Sequence, residues 1–164
     1  MSLEPAVALL QRLDLFAGLD TVRLEVVAFT CERRDYAPGA RVFDAGDEAD
    51  CAYLIIEGEA VMLVHDDGEG RNALRLDSGD LIGETALFGP ELRRTSVRAV
   101  TSLSTLRIGR DMFQRLLGEF PEMAGSVAAR VADRLDVVSE ELRVLASRFS
   151  KADRGVKKSR VRDE

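Results

Sequence analysis

The sequence predicts a mainly β fold, an antiparallel sandwich or roll, with helices before it and a long helix after it. Between residues 31 and 109, short apolar runs are separated by turn residues every 8 to 12 positions, which is typical of such a fold. Residues 5–29 and the chain beyond Asp111 instead repeat their apolar positions with helical spacing. The 164 residues are enough for one domain with its own core.

Composition and charge limit the classes of function. Hydrophobic residues make up 46% of the chain and charged residues 32%, as in ordinary globular proteins. No apolar run approaches the roughly 20 residues of a membrane span, and the N-terminus lacks the pattern of a signal peptide, so we expect a cytoplasmic protein without a membrane partner. Residues 148–164 hold seven Lys or Arg against three acidic residues, a net charge of +4. Because the whole chain has a net charge of −6, residues 1–147 carry −10. Such an acidic body does not attract anions by its overall field, and an anionic ligand needs local donors.

Cysteine and histidine are too rare for a disulfide scaffold or a metal site. Cys31 and Cys51 lack metal-ligand spacing and are predicted to be reduced thiols in the core or in strands. His65 is the single histidine and stands beside a turn sequence. We therefore expect no bound metal and no cofactor.

Residues 5–29 predict a helical N-terminal region with a break at residues 18–20. The predicted strands cover residues 33–36, 41–43, 51–56, 59–64, 71–76, 97–100 and 103–108. The predicted apolar face of the N-terminal helices comprises Leu9, Leu10, Leu13, Phe16, Leu24, Val26 and Val27.

Two helices are predicted after the strands. The first begins at Asp111 and ends before Pro121, which suits the first position of the next helix. The second carries an apolar seam with 3-4 spacing, which favours a parallel homodimer through residues 128–149, although a helix packed on its own roll is the alternative. Residues 150–164 predict a basic, disordered tail, too short for a helix-turn-helix domain, so nucleic-acid binding through this chain alone is not expected. The seam comprises Ala128, Val131, Leu135, Val138, Leu142, Leu145 and Phe149.

Residues 79–99, named here the 79–99 segment, carry the pattern of a nucleotide site. Gly83 allows a ligand to approach the backbone, and the short helix predicted after it offers N–H groups to a phosphate. Arg93 or Arg94 would add a planar, charged fork to the phosphate oxygens. Glu84 would repel phosphate but can accept a hydrogen bond from a sugar hydroxyl. Together these features predict a ligand with both a phosphate and a sugar.

The 79–99 segment resembles the phosphate-binding cassette of cyclic nucleotide-binding domains, especially those of the catabolite-activator type. Gly83, Glu84, Thr85 and Ala86 match the first half of the cassette. The resemblance implies a double-stranded β-helix, or jelly roll, at about residues 31–109 and C-terminal helices at about 110–149. Residues 1–149 then form one cyclic nucleotide-binding domain. The implied ligand-binding residues are Ile82, Gly83, Glu84, Thr85, Ala86, Arg93, Arg94, Thr95 and, on the long helix, Ser139.

Two registers are open for the phosphate arginine. Counting back from the strand at residues 97–99 selects Arg93, which we favour, and leaves Arg94 where the family usually has a small residue. Counting by the Arg-Thr pair selects Arg94 instead. Thr95 and the replacement of a family hydroxyl by Val138 are weak indications toward guanine, so the sequence leaves the choice between cAMP and cGMP open.

The resemblance implies a non-enzymatic regulatory module that binds a cyclic nucleotide and signals by rearranging its C-terminal helices. Two alternatives remain. The chain could be a ligand-free dimerisation scaffold of the same fold, with Arg94 blocking the pocket. It could also be the sensory part of a Crp/Fnr-type transcriptional regulator that lacks its helix-turn-helix domain.

Overall fold

The computed structural model describes residues 2–64, 72–125, 127–129 and 132. The chain divides into two compact units, residues 1–124 and residues 125–164. In the second unit, the described residues 127–129 and 132 are helical. The predicted dimer seam beyond Ala128, Ser139, His65 and the basic tail lie outside the described residues.

The first unit contains α-helices, antiparallel strands and two short 3₁₀ helices within the described ranges. The 3₁₀ helices are Asp14–Phe16 and Glu84–Leu87. The α-helices are α1 (Glu4–Gln11), α2 (Thr21–Thr30) and α3 (Arg110–Glu119). The strands are β1 (Glu32–Tyr36), β2 (Arg41–Phe43), β3 (Glu48–Ala49), β4 (Cys51–Glu57), β5 (Ala60–Val64), β6 (Asn72–Leu76), β7 (Leu81–Ile82), β8 (Glu91–Leu92), β9 (Ser96–Ala99) and β10 (Leu103–Gly109).

The strands form two four-stranded antiparallel sheets and one short pair. The first sheet has the order β1-β10-β4-β7, the second β2-β9-β5-β6, and β3 pairs with β8. A core cluster with members from both four-stranded sheets includes Ile55 and Ile82 from the first and Phe43 and Val97 from the second. The predicted jelly roll with flanking helices is therefore confirmed.

Strand β4 is buried on both of its faces, which positions it at the centre of the unit. Cys51, Ala52, Leu54 and Ile55 are all buried, so the strand lacks the alternation expected when one face meets water. Helix α1 packs against β4, and β10 pairs with it along its length.

The N-terminal helices begin and end close to the positions that the sequence predicts. Asp20 caps α2, because its carboxylate accepts a hydrogen bond from the Arg23 N–H at 2.9 Å. The prediction that Val26 belongs to the apolar inner face is wrong, since Val26 is 51% exposed. It lies on the outer face of α2 with Val22 and Phe29, at i, i+4 and i+7 spacing, while Leu24 and Val27 face inward.

The predicted strands are all present within one or two residues, apart from residues outside the described ranges. The two-residue strands β3, β7 and β8 were not predicted. Each is too short to show an alternating pattern, and each is defined by its pairing partner. Cys31 and Cys51 are free thiols, and burial raises the pKa of Cys31 to about 12.

Gly58 lies in the short turn between β4 and β5. Its φ is +99°, and a Cβ at this position would overlap with the carbonyl oxygen of Ser102. Because that oxygen belongs to the backbone, a side-chain rotation cannot relieve the contact.

We expect Gly58→Ala to destabilise the protein strongly. The left-handed backbone alone costs about 1–3 kcal/mol for a residue with a side chain, and the overlap with Ser102 adds to this. Gly39→Ala is the matched control, because Gly39 has φ +81° but no atom within 4 Å of the added Cβ. Urea unfolding of both variants measures the difference. Equal losses in the two variants would contradict the steric account.

Candidate functional site

The site is built around Gly83, which joins β7 to the 3₁₀ helix Glu84–Leu87. Gly83 adopts the left-handed conformation, with φ 72° and ψ 31°, and its carbonyl accepts a hydrogen bond from the Ala86 N–H at 3.1 Å. Ile82 and Ala86 on either side are buried at 1% and 0% exposure, which fixes this turn to the core. The short helix predicted after Gly83 is thus present as a 3₁₀ helix.

Arg93 is positioned by a turn on the opposite part of the roll. Its N–H donates to the Asp47 carbonyl at 2.7 Å, and its own carbonyl accepts from the Gly46 N–H at 2.8 Å. The turn is closed by the Asp47 carboxylate, which accepts from the Asp44 N–H at 2.9 Å. Backbone hydrogen bonds from both the N–H and the carbonyl of Arg93 therefore fix its position, independently of the contacts that its side chain makes.

The Arg93 side chain is directed into the roll, and the residue is only 7% exposed. Nη2 donates to the Cys51 carbonyl at 2.6 Å and lies 3.4 Å from the Cys51 thiol. The guanidinium carbon is 4.3 Å from the centroid of the Phe43 ring, within cation–π distance, and 5.9 Å from that of Tyr53. Burial raises the pKa of Tyr53, so its phenol stays neutral.

The second terminal nitrogen of Arg93 has no hydrogen-bond partner among the described residues. Nη1 is buried and makes no hydrogen bond, and among the described residues no carboxylate forms an ion pair with this guanidinium. A buried charge without a counter-charge is destabilising by several kcal/mol, roughly 3–5 when a partner is removed. An anion beside Nη1 would supply both the missing negative charge and an acceptor for its N–H groups.

Gly83 and the unpaired nitrogen of Arg93 lie against each other, although ten positions separate the residues in sequence. A Cβ at Gly83 would overlap with Nη1 of Arg93. The glycine thus has two reasons to be there, its left-handed backbone and the space that its missing side chain leaves for the guanidinium.

The other predicted site residues surround this pair in different ways. Arg94 is exposed, so its side chain does not fill the interior beside Gly83, whereas Thr95 and Glu84 are half-buried. The Thr85 hydroxyl is hydrogen-bonded to the Glu91 carboxylate. The structure therefore brings Gly83 and Arg93 into contact in the interior of the roll. Arg94, by contrast, is exposed to solvent.

Several residues around Arg93 were not predicted as part of the site. Phe43 and Tyr53 stack at 6.1 Å and form the aromatic surface beside the guanidinium. Ser96 accepts a hydrogen bond from the Ala45 N–H at 2.9 Å and so ties the turn before Arg93 to β9. Phe43 and Tyr53 lie within the predicted strands at residues 41–43 and 51–56, and no spacing in the sequence indicated that they share a cation.

An ion-pair cluster on the same turn supports Arg93 from outside. Asp44 forms ion pairs with Arg98 at 2.5 Å and with Arg41 at 2.7 Å. Hydrogen bonds from Arg98 and Arg41 lower the pKa of the Asp44 carboxyl, so it stays charged at neutral pH. This cluster joins β2 to β9 at the point where Arg93 enters the roll.

Contacts also connect the 79–99 segment to helix α3. Arg110, the first residue of α3, donates from Nη1 to the Ala86 carbonyl at 3.3 Å and to the Ala49 carbonyl at 3.1 Å. The Phe88 ring meets Phe113 of α3 edge-on with centroids 6.2 Å apart. A displacement of the 3₁₀ helix Glu84–Leu87 would therefore change these contacts with α3 directly.

A sequence profile described as "Cyclic nucleotide-binding domain" matches residues 33–120, more than half of the chain. The chain belongs to this family. The match covers the 79–99 segment and the β-roll around it, and it confirms the resemblance that the sequence suggested.

Two sequence relatives illustrate the range of the family. The chain is 31% identical over 119 residues to the cAMP-activated global transcriptional regulator CRP of Escherichia coli O6:H1, covering 71% of this chain and 56% of the relative. It is 32% identical over 110 residues to a cAMP-dependent protein kinase regulatory subunit of Colletotrichum orbiculare, covering 66% of this chain and 27% of the relative. The chain thus spans about half or less of the length of these curated relatives.

Solved structures show the same fold. The N-terminal domain of a transcriptional regulator from Streptomyces coelicolor A3(2) superposes with a TM-score of 0.70 at 30% identity, covering 77% of this chain and 91% of that one. The Thermus thermophilus catabolite activator protein gives a TM-score of 0.69 at 29% identity, covering 82% and 63%. Within the described ranges, no helix has the length and apolar character to cross a lipid bilayer.

We expect Gly83→Ala to destabilise the protein and to move the Arg93 side chain. A left-handed conformation costs an alanine about 1–2 kcal/mol, and the added Cβ would displace Nη1. Gly89→Ala is the control, because Gly89 lies outside the left-handed region and its added Cβ meets no atom within 4 Å. Urea unfolding and a crystal structure of the variant test this. An unchanged Arg93 position with unchanged stability would contradict the close packing of the two residues.

Proposed function

We propose that this chain is a regulatory module that binds a 3′,5′-cyclic nucleotide, cAMP or cGMP, with the phosphate at Arg93. The observation that carries the proposal is the buried guanidinium of Arg93, whose Nη1 lies beside Gly83 and has no hydrogen-bond partner among the described residues. A cyclic phosphate is a small monoanion that supplies the missing charge and an acceptor oxygen. No catalytic role is needed for this site.

The chemistry of the neighbouring residues fits a phosphate attached to a sugar. An arginine fork forms charge-assisted hydrogen bonds with phosphate oxygens, and Nη1 is the donor still available on Arg93. Gly83 permits close approach of the ligand to the backbone. Glu84 follows directly and is assigned to a ribose hydroxyl, because a carboxylate accepts hydrogen bonds from hydroxyl groups but repels phosphate.

The proposal assigns Arg94 and Thr95 to the edge of the site. Arg94 is exposed and Thr95 half-buried, which suits contact with the base or the outer phosphate oxygens rather than the buried phosphate position. Ile82, Thr85 and Ala86 hold the backbone of the site, and Ser139 on the long helix is assigned to the base. The choice between adenine and guanine rests with these peripheral contacts.

The exposure of Arg94 bears on the alternative of a ligand-free scaffold. That alternative required the Arg94 side chain to occupy the pocket, whereas the buried arginine at this site is Arg93. The other alternative, the sensory part of a Crp/Fnr-type transcriptional regulator, is compatible with the proposal. It is favoured by the relative from Escherichia coli, of which this chain covers the equivalent of 56%.

We further propose a parallel cytoplasmic homodimer held by the helix at residues 128–149, with ligand binding transmitted through α3. Support for transmission comes from Arg110, which donates to the Ala86 carbonyl, and from the contact of Phe88 with Phe113. A ligand shifts the helices only as far as it contacts one arrangement better than the other, and Ser139 beside the seam could supply such a differential contact.

We expect Arg93→Ala to weaken cyclic nucleotide binding by roughly ten- to hundredfold. Hydrogen bonds to a charged group contribute about 1.5–3 kcal/mol, which corresponds to this range. Arg94→Ala is the matched control and should change the affinity by less than about fivefold, as for an exposed charge. Calorimetric titration with cAMP and with cGMP measures both variants. Loss of binding in Arg94→Ala with no effect in Arg93→Ala would show that the register is wrong by one residue.

We expect Leu142→Asp to produce a folded monomer that binds cyclic nucleotide more weakly. Leu142 is assigned to the predicted seam, where a buried leucine contributes about 1.5–3 kcal/mol, and a carboxylate there would prevent association. Sedimentation velocity and calorimetry test the two parts of the prediction. A parent protein that is monomeric at tens of micromolar would refute the dimer, and unchanged affinity in the variant would refute its link to the ligand site.

A further inference from the structure

The first sheet carries a second concave region, away from Gly83 and Arg93. Two adjoining cavities of about 420 Å³ and 480 Å³ share Arg33 of β1 and Glu57 of β4 in their walls. We call them together the sheet-face groove. None of the residues assigned above to the nucleotide lines it.

One half of the sheet-face groove is apolar. It lies where the N-terminal helices meet the sheet, and its walls include Leu3, Ala28 and Phe29 from the helical side and Ile56 and Leu106 from the strands. Phe29 is 80% exposed and Leu3 37% exposed, although both are large apolar side chains. This half of the groove suits an apolar side chain of a ligand.

The apolar surface continues beyond the groove along α2. Val22 is 68% exposed and Val26 51% exposed, and both lie on the same helical face as Phe29. A contiguous exposed apolar patch is typical of an interaction surface. Its extension past the cavity favours a polypeptide as the occupant over a small molecule confined to the cavity.

The other half of the groove is more polar than the first and contains a buried hydroxyl with no hydrogen-bond partner among the described residues. Asp35, Ser104 and Glu57 lie side by side on β1, β10 and β4, next to an irregularity of the ladder between Ser104 and Thr105. Ser104 is only 8% exposed, and its Oγ makes no hydrogen bond. The hydroxyl of Thr105, by contrast, donates to the Arg34 carbonyl at 3.0 Å. The Ser104 hydroxyl is therefore unsatisfied among the described residues, but it is enclosed by the protein, and the groove presents the carboxylates of its two strand neighbours.

The charges around Ser104 indicate the sign of the occupant. Asp35 and Glu57 stand on either side of it, and the one arginine in the wall, Arg33, lies 3.6 Å from Asp35 through its Nε. Two carboxylates against one guanidinium leave an excess negative charge. A lysine or arginine side chain complements this half of the groove.

We propose that the sheet-face groove binds a peptide segment of a partner protein, in which an apolar side chain is followed or preceded closely by a lysine or arginine. The apolar side chain occupies the half beside Phe29. The cationic side chain lies between Asp35 and Glu57. This inference is independent of the nucleotide site.

A defined peptide panel tests the proposal. Acetylated, amidated twelve-residue peptides of Gly and Ser carry one Phe and one Lys, one to four positions apart in either order. Matched peptides replace Lys with Glu or Phe with Ser. The peptides are titrated into the ¹⁵N-labelled 164-residue protein. One series is carried out with the protein saturated with cAMP and a second series without cAMP. Binding of a Phe–Lys peptide should shift the amides of Phe29, Glu57 and Ser104 and leave that of Gly83 unchanged. If no peptide of the panel shifts these amides at millimolar concentration, or if the Glu peptides bind equally well, the proposal is wrong.

Variants of the groove separate specific recognition from general attraction. Glu57→Lys should weaken binding of the tightest-binding peptide by at least about tenfold, as expected for loss of a charge-assisted contact. Glu48→Lys makes the same charge change at an exposed position outside the groove and should change the affinity by less than about threefold. Equal effects of the two lysine variants would overturn the proposal.

Discussion

The buried guanidinium of Arg93 is the constraint on which the rest of the site depends. It is held by a carbonyl of β4 and the ring of Phe43, and it lacks a negative partner among the described residues. Neither a carbonyl dipole nor an aromatic face neutralises a full charge, so the fold retains a local electrostatic cost. The close approach of Gly83 follows from the same requirement, since any larger residue would occupy the space of Nη1. Under the proposed function, an anion bound beside Nη1 would remove this cost and would thereby stabilise the folded protein.

Several interactions of the roll position the Arg93 side chain. The turn before β3 holds the Arg93 backbone on both sides, and Asp44 secures that turn through Arg41 and Arg98. On the opposite side, Arg110 holds the carbonyl of Ala86 and thereby joins the 3₁₀ helix to the start of α3. The proposed phosphate position and the first C-terminal helix are thus connected through a few groups in direct contact. Such a connection is what a regulatory module requires, because it lets a change at the phosphate position alter the packing of a helix.

The sequence predicted those features that depend on local pattern and missed those that depend on pairing across the fold. Turn glycines and apolar runs located the longer strands, and Gly83 marked the site, because these signals lie within a few residues of each other. Strand β8 contains two residues and exists only through its partner β3, so no local pattern could indicate it. Val26 was assigned to the wrong face because it belongs to a run of four adjacent apolar residues in α2, residues 26–29, which fits more than one helical stripe. The unpaired hydroxyl of Ser104 depends on an irregularity between neighbouring strands, and no sequence pattern reports it.

Arg93 illustrates both limits in one residue. Its register was favoured from the spacing to β9, yet its partners Cys51 and Phe43 come from distant parts of the chain. The most direct measurement of the central claim compares each cyclic nucleotide with its own nucleoside on the unmodified protein by calorimetry. If Arg93 binds the cyclic phosphate, cAMP should bind at least about tenfold more tightly than adenosine, or cGMP at least about tenfold more tightly than guanosine. This is the difference that a charge-assisted hydrogen bond to the phosphate requires. Equal affinity for nucleotide and nucleoside would contradict the account.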